Sequence, residues 1–316
     1  MDLQHHGKTN LSIKLAKKIN GEIISADSMQ IYKDMDIGTA KVKKEEMQGI
    51  KHYLIDFVLP NKRYSVADFK KDAEFAIEEI LSKGKVPIIV GGTGLYVDSL
   101  VNGIEYNETK TDFEYRKKLE EISQKDGLEN LYNMALKIDE IATKKISKND
   151  KKRIFRILEL YKSTGKTKTE LEVESRKNDL KYDFYVFGIT MEREKLYDKI
   201  NLRVDKMIEQ GLINEVENVL NKYDEFPTAM QGLGYKEVKQ YLNGKCTKEE
   251  MIEKIKMETR RYAKRQITWF KRTKNIIWLD SNKQTVQNNI YTILEVIKWK
   301  HMIKKIKKSW MERKYL

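Results

Sequence analysis

The sequence predicts an α/β fold in which helices flank a parallel sheet and an all-helical segment interrupts it. Short apolar runs typical of buried strands occur at Ile23-Ile24 and at Val86-Pro-Ile-Ile-Val90, and each is next to a helical pattern. Strand patterns are missing from about 111 to 182, where charged helical periodicity takes over, and they return at Tyr185-Val-Phe-Gly-Ile-Thr190. This order indicates a strand-and-helix core with a helical insertion.

The composition is strongly basic. The 316 residues include 62 Lys+Arg against 48 Asp+Glu, which gives a formal net charge of +14. Such an excess favours a polyanionic partner such as nucleic acid, although a lysine-rich proteome produces the same bias. Cys246 is the single cysteine, which excludes a disulfide framework and a cysteine-based metal site. Without an apolar run of membrane length or a signal peptide, we expect a cytoplasmic protein with no membrane contact.

The first helical pattern begins with Gly7-Lys-Thr9 and continues to about Ile19. Gly-Lys-Thr is the end of a phosphate-binding loop, in which backbone amides and the lysine attract phosphate and the threonine hydroxyl can bind Mg²⁺. The complete pattern is G-x-x-x-x-G-K-[ST], but Asp2 occupies its first glycine position here. The tripeptide by itself therefore gives weak support for a phosphate site.

Residues 22–41 contain the main candidate for catalysis. Ile23-Ile24 is followed by Ser-Ala-Asp-Ser, which predicts a short buried strand that presents Asp27 and Ser28 at its carboxyl end. Ligands bind at the carboxyl ends of strands in open α/β sheets, where a carboxylate can accept a proton or orient an amine. Alternatively, Asp27 only caps a helix that starts near Met29, because Asp is a favoured N-cap residue.

A second candidate phosphate site follows the apolar run at 86–90. An amphipathic helix pattern over 65–84 precedes this run, and Gly91-Gly-Thr-Gly-Leu-Tyr96 follows it as a glycine-rich turn into another helix. A tight strand-to-helix turn also needs glycine, but the hydroxyl of Thr93 favours a functional role.

The helical segment carries a basic cluster. Helical patterns run through 112–145 and 149–163, and Asn149-Asp150 is suited to cap the second of them. Its first turns contain four cations: Lys151, Lys152, Arg153 and Arg156. Cations at a helix N-terminus oppose the helix dipole, so an anionic partner explains them better, with a solvated basic face as the alternative.

The last third of the chain has two further candidate surfaces. A helix is predicted over 193–222 with Arg203 on it, and in the loop Gln231-Gly-Leu-Gly-Tyr-Lys236 the glycines let a ligand approach the backbone. Residues 260–274 combine seven Lys/Arg and no acid with aromatic side chains, which suits RNA but also an ordinary helix with buried rings. A last strand is predicted over 275–280, and a basic helical tail from Lys298 onward.

These motifs, in this order, resemble the tRNA dimethylallyltransferase family, whose members prenylate the adenosine beside the anticodon. The matching segments are Gly7-Lys-Thr9, Ile24-Ser-Ala-Asp-Ser-Met-Gln-Ile-Tyr32, Met35-Asp-Ile-Gly-Thr-Ala-Lys41, Tyr64-Ser-Val-Ala-Asp-Phe69, Gly91-Gly-Thr-Gly-Leu-Tyr96, Ser163-Thr-Gly-Lys-Thr167, Gly232-Leu-Gly-Tyr235 and Ala263-Lys-Arg-Gln-Ile-Thr-Trp269. The resemblance implies a P-loop NTPase-like parallel-sheet core. The expected domains are a catalytic core over 1–110 and 183–281, a tRNA-binding helical insertion over 111–182 and a basic tail over 282–316.

The resemblance also implies a reaction and its residues. A dimethylallyl group would pass from dimethylallyl diphosphate to the N6 amine of a base-flipped adenosine, tRNA position 37, with Mg²⁺ as cofactor and a monomeric enzyme. The implied catalytic residues are Asp27, which accepts the amine's hydrogen bond, Thr93 and Arg203. The implied diphosphate ligands are Gly7, Lys8, Thr9 and Asn10, and Thr9 also binds the metal. The implied tRNA contacts are Asp27, Ser28, Met29, Gln30, Arg116, Lys152, Arg153, Ile154, Phe155, Arg156, Gln231, Gly232, Leu233, Gly234, Tyr235 and Lys236.

Three other functions stay open at this point. An adenylate isopentenyltransferase would prenylate a free nucleotide, but a small acceptor needs neither the helical insertion nor the basic stretch at 260–274. A catalytically impaired tRNA-binding homologue is possible if the altered phosphate loop is what the cell makes. A generic P-loop kinase fits the two glycine-rich segments but does not require the segment around Asp27.

The N-terminus departs from the family pattern. The family has an apolar strand and then Gly-Pro-Thr-Ala-Ser/Val before Gly-Lys-Thr, whereas this chain has Asp2-Leu-Gln-His-His6. Back-translation in another frame, with suitable codon choices, yields Gly-Pro-Thr-Ala-Ser with one nucleotide left over before Gly7. Our hypothesis is a single-base insertion in the gene or its sequence record, so that His5-His6 is a frame artefact and not a metal pair. We expect the sheet to lack one strand as a result.

Overall fold

The structure is a computed structural model, and it describes residues 7–104, 112–175 and 180–298. Its contacts divide the chain into two compact units, Met1–Val97 with Phe184–Leu316, and Asp98–Asp183. The strands are β1 (Gly21–Ala26), β2 (His52–Tyr53), β3 (Val86–Gly91), β4 (Phe187–Thr190) and β5 (Ile277–Asp280). The helices are α1 (Lys8–Ile19), α2 (Val66–Ser82), α3 (Gly94–Val101), α4 (Phe113–Lys125), α5 (Leu128–Ile138), α6 (Glu140–Thr143), α7 (Lys151–Thr164), α8 (Lys168–Ser175), α9 (Arg193–Glu209), α10 (Leu212–Lys222), α11 (Tyr235–Leu242), α12 (Lys248–Phe270) and α13 (286–298).

The mixed α/β class with parallel strands is confirmed. In the first unit β1 lies between β2 and β3, and both neighbours run parallel to it. Ile23 and Ile24 of β1 pair with Ile88 and Ile89 of β3, so the two predicted apolar runs are adjacent strands. β1 is buried along its whole length, as expected for a central parallel strand covered on both faces.

A second parallel pair, β4 with β5, belongs to the same unit. Among the described residues β3 pairs only with β1, and β4 pairs only with β5. Both strands are partly exposed along their length, and Val86 at the start of β3 is 43% exposed. Side chains of β3, β4 and β5 nevertheless share one apolar cluster with Leu11 and Leu15 of α1. Residues 1–6, in which we expected an altered loop, lie outside the described residues, as does the tail beyond 298.

Two local predictions need correction. The helix predicted over 193–222 is two helices, α9 and α10, because Gly211 between them has φ +97°, which continues no right-handed helix. The alternative helix starting near Met29 does not form; residues 28–31 are a turn.

The main core of the first unit lies where the segment after β1 packs on the later helices. Ile31, Tyr32 and Met35 are fully buried against apolar side chains of α9 to α12. Glu215 of α10 fixes the adjoining loop, since its carboxylate accepts the backbone N–H groups of residues 36, 37 and 38 at 2.8, 2.7 and 3.1 Å. The same carboxylate accepts the Tyr235 hydroxyl at 2.5 Å. Thus Glu215 of α10 and Tyr235 of α11 together fix the motif at 35–41 through the Glu215 carboxylate.

The second unit is helical in its described part. Its core combines α4, α5, α6 and α7 through Leu119, Leu131 and Leu158, all fully buried. The predicted cap of α7 is present, because the Asp150 carboxylate accepts the backbone N–H of Arg153. Of the helices the structure describes, none is long and apolar enough to cross a membrane.

Candidate active site

The site is built on the carboxyl ends of the neighbouring strands β1 and β3. The turn after β3 is joined to the turn after β1 by Thr93, whose Oγ1 accepts the backbone N–H of Ser28 at 3.0 Å. Gly91 allows the close approach, since a Cβ there would lie only 2.1 Å from the carbonyl oxygen of Ala26. The two candidate segments predicted from sequence therefore meet at one edge of the sheet.

Asp27 lies in the first of these turns and is half-buried. Its Oδ1 accepts the backbone N–H of Met29 at 2.9 Å and that of Gln30 at 3.4 Å. The capping role considered for Asp27 is thus present, but it stabilises a turn and not a helix. No hydrogen bond to Oδ2 is present within the described part of the chain. The turn therefore orients the carboxylate through Oδ1 and leaves Oδ2 available to a ligand.

Two cations face this carboxylate. Lys8 begins α1, with its Nζ 3.4 Å from the carbonyl oxygen of Gly91, and Arg203 comes from α9. Desolvation lowers the pKa of Lys8, which the charge of Asp27 partly opposes and that of Arg203 reinforces. Desolvation likewise lowers the pKa of Arg203, again opposed by Asp27. Both side chains are exposed to solvent, so their charges are accessible to a ligand.

One face of α12 closes the glycine-rich turn after β3. Gln266 Nε2 donates to the carbonyl oxygen of Gly92 at 2.8 Å, and a Cβ on Gly94 would lie 2.5 Å from the indole of Trp269. Burial raises the pKa of the half-buried Tyr262 on the same helix, and the nearby charge of Asp27 adds to this effect. The sequence suggested that aromatic side chains of this helix stack on RNA bases, but here the Trp269 indole lies against Gly94. Positions 262, 266 and 269 fall on one helix face, and this spacing was the signal for a packed surface.

The predicted diphosphate ligands share the first turn of α1. The helix begins after Gly7 without a side-chain cap, and Thr9 and Asn10 follow Lys8 in a half-buried position. The uncapped N–H groups and the positive end of the dipole favour an anion there. In the regions that the structure describes, no three His, Cys, Asp or Glu side chains cluster as metal ligands.

The predicted RNA contacts in the first unit fall into exposed and buried groups. Gln231 and Lys236 are exposed, while Leu233 is half-buried. Tyr235 is fully buried, and Gly232 packs on the Met29 sulfur, which would lie 2.7 Å from an added Cβ. The side chain of Gln30 donates to the carbonyl oxygens of residues 39 and 40 at 3.3 Å. In this conformation the Gly232–Tyr235 part of the loop supports the turn next to Asp27.

The predicted RNA contacts in the second unit are similarly divided. Lys152 and Arg153 are exposed on the first turn of α7, and Arg153 forms an ion pair with Asp150. Ile154 and Phe155 are buried in the helical core, so their side chains cannot reach RNA in this structure. Arg116 of α4 pairs with Glu159 at 3.5 Å.

Comparisons with known proteins agree on one family. The sequence model of the IPP transferase family matches residues 30–273. The tRNA dimethylallyltransferase of Acetivibrio thermocellus is 52% identical over 291 residues, covering 90% of this chain and 93% of its own length.

Solved structures give the same answer. The tRNA isopentenylpyrophosphate transferase of Bacillus halodurans is 41% identical with a TM-score of 0.69, covering 95% of this chain and 94% of its own. A eukaryotic dimethylallyltransferase captured acting on tRNA is 34% identical with a TM-score of 0.72, covering 87% of this chain and 71% of its own.

Proposed function

We propose, since this chain belongs to the IPP transferase family, that it transfers a dimethylallyl group to the N6 amine of an adenosine in tRNA. The donor is dimethylallyl diphosphate, and the acceptor is the adenosine that follows the anticodon, position 37. The observation that carries the assignment to this cleft is the convergence of Lys8, Asp27 and Arg203 beside Thr93. Two cations and one carboxylate leave a net positive charge, which suits an anionic leaving group next to a proton acceptor.

The reaction breaks one C–O bond and forms one C–N bond. The diphosphate leaves with the bonding electron pair, and the adenosine nitrogen attacks the carbon that it vacates. Lys8 and Arg203 stabilise the charge that accumulates on the diphosphate, together with the uncapped N–H groups at the start of α1. The amine must lose one proton, and we propose that Oδ2 of Asp27 accepts its hydrogen bond and then the proton.

Mg²⁺ fits this cleft as part of the diphosphate substrate. The described residues supply no carboxylate cluster for an ion held by protein alone. Magnesium commonly keeps waters and binds substrate phosphates with few protein ligands. Thr9, directly after Lys8 at the start of α1, is the side chain we propose as its ligand. The bound ion would neutralise part of the diphosphate charge.

The tRNA partner is supported by charge as well as by the family. The formal net charge of +14 attracts a polyanion, and exposed cations of α7 and α12 offer phosphate contacts. We propose Lys152, Arg153 and Lys236 as direct contacts. We propose that the protein acts as a monomer, because one chain contains all of the proposed catalytic groups and all of the proposed contacts to the donor and to the tRNA.

The test is a choice between acceptors. The protein is incubated with magnesium and dimethylallyl diphosphate, and with either unmodified tRNA or AMP. We expect a dimethylallyl mass gain on tRNA and none on AMP. Transfer to AMP would instead assign the chain to the adenylate isopentenyltransferases. Binding of tRNA with no transfer to either acceptor would identify an impaired tRNA-binding homologue.

A further inference from the structure

An aromatic side chain is exposed on the loop that runs beside the Asp27 turn. Phe57 is 39% exposed, and Leu59, two residues further on, is exposed to the same extent. Both belong to the segment 54–59 that follows β2, and the function proposed above uses neither of them. Single exposed apolar residues are common on protein surfaces, so the surroundings of this ring have to show whether it has a partner.

The backbone of this segment is hydrogen-bonded to the end of the Asp27 turn. The N–H groups of Phe57 and Val58 both donate to the carbonyl oxygen of Ile31, each at 2.9 Å. The N–H of Lys33 donates in return to the carbonyl oxygen of Val58 at 2.8 Å. Extended segments joined in this way lie about 5 Å apart. Phe57 is therefore a direct neighbour of the chain that presents the proposed acceptor site.

The same loop is fixed in a strained conformation. Leu54 and Asp56 both have φ +57°, in the left-handed region that a leucine rarely adopts. The nearly buried Lys41 ammonium donates to the Asp56 carboxylate at 2.7 Å and to the carbonyl oxygen of Tyr32 at 2.7 Å. Strained backbone that its surroundings hold in place is concentrated at sites that clamp ligands. The exposed phenyl ring that follows Asp56 in this loop is thus a candidate ligand contact.

The Phe57 ring is supported by a second aromatic side chain. The centroids of the Phe57 and Tyr64 rings are 5.5 Å apart with an angle of 88° between their planes, which is an edge-to-face contact. Tyr64 is itself oriented, because its hydroxyl donates to the Asp72 carboxylate at 2.9 Å. The ring of Phe57 is therefore held in position while part of its surface stays open. Such a ring suits the stacking of a nucleobase.

Two lysines near this ring favour a nucleic acid as its partner. Lys33 is exposed on the segment bonded to the loop, and Lys62 is exposed where its N–H donates to the carbonyl oxygen of Leu59 at 2.9 Å. Neither ammonium group forms an ion pair with a residue that the structure describes. The carboxylate of Asp56 is already paired with Lys41. Unpaired cations around an exposed ring attract phosphates, and an apolar protein partner would not use them.

We propose that Phe57 stacks on the tRNA base next to the target adenosine. The inference rests on the proposed function, because the adenosine has to lie at Asp27. When the adenosine leaves its stack, one face of a neighbouring base is uncovered, and the Phe57 ring covers that face. No covalent bond forms or breaks in this contact. Stacking accepts every base, so Phe57 contributes affinity and placement and does not select the identity of the neighbour.

The experiment measures how the full chain binds an anticodon stem-loop RNA with adenosine after the anticodon. Phe57→Leu keeps an apolar side chain without the ring, and it should weaken binding by roughly 5–20-fold with Tm unchanged. Phe57→Trp keeps an aromatic ring and should bind as the original chain does. Phe75→Leu, at a ring 72% exposed on α2, is the matched control and should bind normally.

Salt dependence separates stacking from phosphate contact. The slope of log K against log salt should be the same for Phe57→Leu and the original chain, because stacking releases no counterions. Lys33→Gln should make the slope shallower by about 0.7, the value for one phosphate of a single strand. A shallower slope for Phe57→Leu would show that the ring only supports phosphate contacts and would overturn the stacking proposal.

An abasic nucleotide in the RNA tests the contact without altering the protein. It is placed on the 5′ side or on the 3′ side of the target adenosine. One of these two RNAs should bind the original chain about as weakly as Phe57→Leu binds the intact RNA. With that RNA, Phe57→Leu should add less than about a twofold further loss, because both changes remove the same contact.

Prenyl transfer to tRNA is measured in parallel, so that two kinds of failure can be told apart. Binding by Phe57→Leu that equals the control, or losses that multiply with both abasic RNAs, would overturn this inference in a chain that still prenylates tRNA. A chain that transfers no dimethylallyl group to tRNA would overturn the proposed function and this inference with it.

Discussion

At the scale of residues, Asp27 combines a structural and a proposed chemical role. Asp27→Asn separates them, because an asparagine oxygen can still accept the N–H groups of Met29 and Gln30 while the charge and the basicity are lost. We expect turnover to fall on the order of 10²–10⁴-fold, the usual worth of a positioned acid or base, with tRNA affinity nearly intact. Single-turnover prenyl transfer and a tRNA binding curve measure the two quantities.

Asp280 provides the matched control for that variant. It is the last residue of β5 and also accepts a backbone N–H two residues on, that of Asn282 at 2.9 Å. Asp280→Asn should leave turnover unchanged. Equal turnover in both variants would reduce Asp27 to a residue that only stabilises its turn.

The sequence was sufficient for some of the site residues and not for others. Asp27 and Thr93 were predicted because each follows an apolar run, and parallel neighbouring strands bring such positions together. Gln266 and Glu215 were missed as parts of the site or its support. Their roles depend on how α10 and α12 pack on loops far away in sequence, and local patterns carry no information about that packing.

At the scale of elements, a cluster of charged and polar side chains connects α2 to β1 and β2. The Tyr53 hydroxyl of β2 lies 2.8 Å from a carboxylate oxygen of Glu22 of β1 and 2.9 Å from one of Glu79 of α2, and it can donate its one proton to either. Lys83 donates to Glu79 at 2.6 Å, and Lys85 donates to Glu22 at 2.6 Å. Because β2 has only two residues, these side chains contribute much of its attachment.

This cluster predicts a dependence of stability on pH. Hydrogen bonds from Lys83, Lys51 and Tyr53 lower the pKa of Glu79 from 4.5 to about 2. The unfolded chain therefore binds this proton more readily, so the stabilisation is present above the ordinary pKa and is lost as pH falls toward the folded pKa. Glu79→Gln should lower the urea midpoint at neutral pH, and the difference from the original chain should shrink as pH falls below the ordinary glutamate pKa.

The exposed Glu217, in the middle of α10, is the control for this measurement. Glu217→Gln should leave the urea midpoint unchanged at every pH. A difference between Glu79→Gln and the original chain that stays constant with pH would show that the cluster contributes through packing and not through charge.

The three-stranded and the two-stranded sheet of the first unit each end in a strand with only one partner among the described residues. Parallel strands are normally buried on both faces, yet β3 and β4 are partly exposed and each has a single partner among the described residues. Both contribute to the apolar cluster around Leu11 and Leu15 of α1. One further parallel strand before α1 would satisfy both edges through a right-handed crossover. That the sheet lacks a member stays a prediction.

We therefore predict that a repaired chain is more stable and more active than the chain as written. The repair places an apolar strand and Gly-Pro-Thr-Ala-Ser before Gly7, which restores ladder hydrogen bonds and replaces the negative Asp2 at the first glycine of the loop. Thermal unfolding and prenyl transfer are compared side by side for the two proteins. Equal Tm and equal activity would show that Asp2–His6 forms a working loop and would remove the physical support for a frameshift.

At the scale of the whole molecule, the basic charge has a predicted function at the start of α7. Replacing Arg153 and Arg156 together by Gln should weaken tRNA binding. The slope of log K against log salt should become shallower by about 0.7–0.9 for each phosphate that the protein no longer neutralises. Lys144→Gln in the same helical unit is the control, since its exposed ammonium pairs with Glu140. Salt slopes that coincide for all three proteins would identify the α7 cluster as a solvated face.

The fold class followed from the sequence, and the exact elements did not. Apolar runs located β1, β3, β4 and β5, although only β1 is buried along its whole length. The break at Gly211 was missed although a glycine was visible there, because apolar periodicity continues across it in α9 and α10. The pairing of strands could not be deduced, since it depends on contacts between residues far apart in the chain.

The central claim is that this protein prenylates one adenosine of tRNA in the cleft at Asp27. The measurement that tests it most directly is mass-spectrometric mapping of tRNA after reaction with magnesium and dimethylallyl diphosphate. We predict a single dimethylallyl group on N6 of the adenosine that follows the anticodon, formed by the original chain and by Asp280→Asn but not by Asp27→Asn. A dimethylallyl group at another position, an equal yield from Asp27→Asn, or tRNA that is bound but left unmodified would contradict the claim.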